Sequence, residues 1–138
     1  MLDKWKPFST KTVTPRRSKL EHALADHRLL ISSQGRIGLR HKLFEEIGRE
    51  DLYMALYYNK EEHQLGLRFF QTKVKDSFKL SPQNTRGSIT AGANARTAFD
   101  YFRINLMKVN GAYERGEGGI TLWQSEDGTQ MWVVKLKD

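Results

Sequence analysis

"SSQGRIGLRHKLFEEIG", Ser32 to Gly48, packs three kinds of local signal into one short run. Ser-Gln-Gly is a turn, and "LLIS" before it and "GRIGL" after it read as two short extended pieces. "RHKLFEEIG" then sets Leu43, Phe44 and Ile47 at helical spacing and ends on Gly48, a residue suited to stopping a helix. The stretch therefore predicts a β-turn-β piece feeding directly into one or two turns of helix.

The same logic extends outward. "DLYMALYY" is the strongest strand signal in the chain, "NKEEH" turns it, and "QLGLRFF" returns as an antiparallel partner. Upstream, "SKLEHALADHRLL" offers Ser18 as an N-cap with Glu21 at capping-box spacing, which predicts a short helix. Downstream, "SPQNTRG" reads as a turn, "SIT" as a brief extended piece, and "NARTAFDYF" as a helix capped by Asn94. "RINLMKVNGAY", "GITLWQS" and "MWVVKLK" read as three closing strands, separated by "ERGEGG" and "EDGT". The halves rhyme: Gly35-Arg-Ile37, a helix carrying Phe44 and a hairpin stand against Gly87-Ser-Ile89, a helix carrying Phe99 and a hairpin.

These readings predict an α+β, mainly β chain. A basic arm over residues 1–17 precedes a first unit with its leading helix (18–80) and a second unit (81–138). The two similar extended–helix–hairpin units are expected to form one small barrel-like body. The aromatic set from Tyr53 and Tyr57 through Trp123 and Trp132 is expected to be mostly core.

Length and composition narrow the function. The chain has 138 residues, enough for one domain with a core, and no cysteine, which excludes disulfides and thiolate metal sites. No apolar run approaches the ~20 residues of a membrane-spanning helix. The start, "MLDKWKPFSTKTV", lacks the apolar segment of a secretion signal, so a cytoplasmic protein with no membrane partner is expected.

The net charge is +7 and is unevenly spread. Met1 to Arg40 holds nine Lys/Arg against three Asp/Glu, His41 to Leu80 seven of each, and the remainder seven against six. A cationic arm on a nearly neutral body suits a polyanion, because bound phosphates release their condensed counterions. In the arm, Lys4, Lys6, Lys11, Arg16, Arg17 and Lys19 are interleaved with Trp5 and Phe8, a pattern that can pair with phosphates and stack on bases. In the body, Arg36 and Arg40 fall on alternating positions of an extended segment and share a face. With Lys42, and with Arg86 of the second half, they are candidate phosphate contacts. The competing expectation is that Glu45, Glu46 and Glu50 oppose these cations.

Catalytic, metal and cofactor patterns are not evident. The four histidines lack metal-ligand spacing, and "GSITAGANAR" lacks the Gly-Lys-Ser/Thr ending of a phosphate loop.

Over about a quarter of its length, "GRIGLRHKLFEEIGREDLYMALYYNKEEHQLGL", the chain resembles the AbrB/SpoVT-type swapped-hairpin domain. The resemblance rests on Gly35-Arg36-Ile37, Leu43, Ile47-Gly48, the Leu52 to Tyr58 strand, the turn at Asn59 to His63, and Leu65 to Leu67. It implies an interleaved β-barrel of two copies of the unit and DNA binding as a dimer. Arg40 stands where the family usually has a proline, and Phe44 and Glu45 where it has paired arginines, so Arg36 alone carries over as a phosphate contact. A non-enzymatic nucleic-acid-binding regulator is therefore expected, acting on DNA rather than RNA as a homodimer. The alternative is a protein-interaction module, such as an antitoxin, an inhibitor or a phage-type accessory factor, that docks on a protein partner.

Overall fold

Ser32 closes the first hairpin. Its backbone N–H donates to Arg36 O (2.9 Å), and its Oγ accepts from the Arg36 N–H (3.0 Å). Gly35 completes the turn at φ +89°, a conformation that side chains strain to adopt. The hairpin joins β1 (Arg28–Ile31) to β2 (Arg36–Leu39). A computed structural model describes residues 24–48, 50–85 and 88–138, so the basic arm, the first six residues of the helix expected over 18–30 and Arg86 lie outside the described residues.

Helix α1 (His41–Ile47) follows at once, burying Leu43 and Phe44, and stops where Gly48 at φ +116° donates to Phe44 O. The strand pair β3 (Tyr53–Asn59) and β4 (Gln64–Phe70) runs antiparallel in register from Tyr53–Phe70 to Asn59–Gln64. Then come β5 (Phe78–Lys79), β6 (Ser81–Thr85), β7 (Ser88–Asn94), α2 (Arg96–Tyr101), α3 (Leu106–Val109), β8 (Gly111–Glu114), β9 (Ile120–Gln124) and β10 (Gln130–Lys135).

The strands form two five-stranded antiparallel sheets, ordered β6-β7-β2-β1-β8 and β5-β3-β4-β10-β9. A mainly β chain is thus correct, but a closed barrel is not. Among the described residues no ladder joins an edge of one sheet to an edge of the other; a single isolated bridge, Arg115 to Ile120, links the ends of β8 and β9. The edges explain why. Pro82 in β6 has no N–H to offer a further strand, and β5 is only two residues long. Each sheet is centred on a pair drawn from the two halves of the chain, β2–β7 in the first and β4–β10 in the second.

One hydrophobic core is shared by both sheets. Ile37 and Leu39 enter it from the first, Leu65, Leu67 and Val134 from the second, and Phe44 and Phe99 from the helices. Burying each such side chain stabilises the fold by about 1.5–3 kcal/mol before conformational entropy is counted.

The extended piece expected at Leu29 to Ser32 is β1, paired on both sides, with β2 and β8. Three local expectations need correction. Ser81–Thr85 is an edge strand rather than a turn, held by pairing with β7. Leu106–Val109 is helical rather than extended: Asn105 Oδ1 accepts from the Met107 N–H (3.0 Å) and Asn110 Nδ2 donates to Leu106 O (2.8 Å). Of the aromatic set, Phe99 and Trp132 are buried, while Tyr57, Tyr101 and Trp123 are exposed. Among the described residues no helix is long and apolar enough to cross a membrane.

Candidate nucleic-acid interface

Alternation decides what the first sheet shows to solvent. On β2, Ile37 and Leu39 are buried, so Arg36, Gly38 and, just past the strand, the extended residue Arg40 point outward. On β7 the buried Ala91 and Ala93 leave Thr90, Gly92 and Asn94 on that same outer face, and on β8 Ala112 pairs with Leu30 of β1. Gly38, Gly92 and Ala112 leave the middle of the face low. The result is an open cleft of about 520 Å³, bordered by Arg36 and Arg40 and floored by small residues.

Arg36 is exposed and lies along this floor. A β-carbon on Gly92 would stand 2.7 Å from its Nη2, so the missing side chain is what gives the guanidinium room. No ion pair involves Arg36 among the described residues. Arg40 lies two outward positions farther along, about 13 Å by strand rise. Its Nε is buried with no hydrogen-bond acceptor, and Asp26 Oδ2 is 3.7 Å away.

Asp26 governs the electrostatics here. Arg28 grips it through Nε to Oδ1 (2.8 Å) and Nη2 to Oδ2 (2.9 Å), a two-pronged pairing that suits guanidinium geometry. That hydrogen bonding, with the nearby charges of Arg28 and Arg40, outweighs burial and holds the Asp26 carboxyl below the usual carboxylate range. Arg28 also faces Glu114 in the β1–β8 register. Three arginines thus meet two carboxylates, leaving a local surplus of one positive charge.

The structure brings Arg36 and Arg40 to one cleft. It does not bring Lys42, which is exposed on the first turn of α1 and does not line the cleft. Lys4, Lys6, Lys11, Arg16, Arg17, Lys19 and Arg86 lie outside the described residues. The expected opposition by glutamates is also redirected: Glu45 pairs with His41, and Glu46 pairs with Arg115 (3.1 Å) and His27 (3.7 Å). Arg28 and its counterion Asp26 were not anticipated. The available signal was the Asp-x-Arg spacing before an alternating Arg-Leu-Leu-Ile run.

Comparison with protein-family models, curated proteins and solved structures returned no match for this chain.

Proposed function

We propose that this protein is a non-enzymatic nucleic-acid-binding protein, a DNA-binding regulator that contacts phosphates through basic residues. The observation that carries the reading is the outer cleft of the first sheet. There Arg36, without an acidic partner among the described residues, and Arg40, which shares Asp26 with Arg28, border a glycine-floored surface open to a polymer. Small residues let a phosphate backbone approach closely, and guanidinium groups suit phosphate oxygens. The cationic arm of residues 1–17 adds charge in the same sense. In this reading the scaffold is two related extended–helix–hairpin units of the swapped-hairpin kind, and the protein acts as a homodimer.

A salt titration tests it. Fluorescence anisotropy with a labelled DNA duplex should show affinity falling linearly in log–log form with salt. The double variant Arg36→Ala/Arg40→Ala should bind more weakly, with a slope shallower by about two, one for each lost phosphate contact. Affinity indifferent to salt, or a slope the double variant leaves unchanged, would overturn the proposal. Capture of one protein partner without measurable nucleic-acid affinity would favour a docking module instead.

A further inference from the structure

The outer face of the second sheet differs in kind. Leu65, Leu67, Trp132, Val134 and Ile120 are buried on its inner side, so the alternate residues of β3, β4, β10 and β9 face outward. Tyr57 of β3 and Trp123 of β9 stand there 45% and 50% exposed. Between them Met131 lies over Gly66, whose β-carbon would come within 2.6 Å of the Met131 sulfur. An apolar strip therefore crosses four strands, about 14 Å from end to end.

Cations flank the strip. Arg68 stacks over Phe70 with its guanidinium carbon 5.1 Å from the ring centroid, Lys79 pairs with Tyr53 at one sheet edge, and Lys135 lies beside Val133's row on β10. Arg68, Lys79 and Lys135 make no ion pair among the described residues. The outward positions of the five strands carry no carboxylate; Glu61, Glu62, Glu126 and Asp127 sit in the hairpin turns at the two ends, and Asp51 and Asp76 just before β3 and β5. Asp127, hydrogen-bonded by Ser125 and Thr129, has its pKa lowered to about 2 and so remains anionic. The central band is apolar and positive, with negative ends, which favours an anionic chain laid across the strands rather than along them.

We propose that this face binds single-stranded nucleic acid by stacking bases on Tyr57 and Trp123, with Arg68, Lys79 and Lys135 pairing with its phosphates. Exposed aromatic faces take any unpaired base, whereas bases inside a duplex are already stacked and cannot reach them. The inference rests on the nucleic-acid reading above and adds a second surface with its own strandedness.

The full chain is titrated with a labelled oligothymidylate, with oligouridylate of the same length, and with a DNA duplex. Trp123→Ala and Tyr57→Ala should each weaken single-strand binding by about 5- to 100-fold and leave duplex binding unchanged. Trp123→Phe should retain most of the affinity, because a ring remains. Arg68→Ala, which removes no stacking ring, should make the single-strand salt slope shallower by about one. Thermal melting confirms that each variant is folded. Unchanged single-strand affinity in the folded aromatic variants overturns the inference while leaving duplex binding intact. Equal losses for single strand and duplex overturn it too, as does a drop in oligomeric mass in Trp123→Ala with single-strand affinity preserved, which assigns the face to a second copy of the chain. If the native protein binds none of the three probes, the nucleic-acid reading fails as a whole.

Discussion

The outer faces of the two sheets are built by one rule and arrive at opposite chemistries. Each is the set of alternate residues that its strands leave over after filling a shared core. On the first sheet that remainder is small side chains with three arginines, two of which share Asp26. On the second it is aromatic rings with Arg68, Lys79 and Lys135, and no carboxylate at the outward positions of its strands. Charge alone would rank the second face higher, since its cations are unopposed among the described residues. Shape ranks them differently. The first is a glycine-floored cleft, which the proposed function assigns to a phosphate backbone, and the second a ridge of rings, which the further proposal assigns to unpaired bases. The core constrains both faces through parity alone and leaves their chemistry free to diverge.

The hardest test of that comparison removes the support both faces share. Phe44 is fully buried, and Phe44→Ala should lower stability by about 3–5 kcal/mol in urea denaturation. Duplex and single-strand binding should then fail at the same urea concentration. If one outlasts the other, the sheets do not unfold as one unit.

A smaller effect is expected at the junction between the chain's halves. Gly35 holds φ +89°, its carbonyl accepts from the Ala95 N–H (2.9 Å), and a β-carbon there would stand 2.7 Å from Arg96 Cα. Gly35→Ala should cost more than about 1 kcal/mol, because neither the backbone conformation nor the neighbouring main chain accommodates the methyl group. The cleft beside Arg36 should be disturbed more than the aromatic strip, so duplex affinity should fall first.

The mildest change acts on charge. Asp26→Asn removes the carboxylate that Arg28 and Arg40 share, so duplex binding should tighten and its salt slope steepen by about one, while oligothymidylate binding stays put. The same substitution has a pH signature. The folded pKa of Asp26 lies below its ordinary value, so its stabilisation is present above about pH 4, the unfolded carboxylate range, and is lost as pH falls through the lower folded pKa. Urea midpoints measured from neutral pH down to about pH 3 should decline for the native protein and decline less for Asp26→Asn. Parallel declines would mean that Asp26 is not the group whose pairing matters.

Legibility in the sequence followed the range of the interactions. Helix α1 was readable because Leu43, Phe44, Ile47 and Gly48 are local to it, and the β3–β4 pair because a short polar turn joins two apolar runs. Two segments misled, each for a reason outside the segment. Ser81–Thr85 has turn composition, yet β7 offers it a ladder. Leu106–Val109 looks extended until the side chains of Asn105 and Asn110 cap a single turn. At the cleft, the shared face of Arg36 and Arg40 followed from strand alternation, whereas the Asp26 counterion did not. The aromatic residues were harder still, since Tyr57 and Tyr58 are sequence neighbours on opposite faces of one strand.

Periodicity and punctuation were thus enough to specify a mainly β chain, its first helix, its strongest hairpin and the alternation that pairs Arg36 with Arg40. These are short-range matters of backbone conformation and apolar spacing. Folding decided which strands became neighbours, that the sheets stayed open, that Asp26 sits between two arginines, and that Tyr57 and Trp123 face outward on one sheet. Those outcomes depend on the register between segments far apart in the chain, and a register is set only when distant strands exchange hydrogen bonds around a common core.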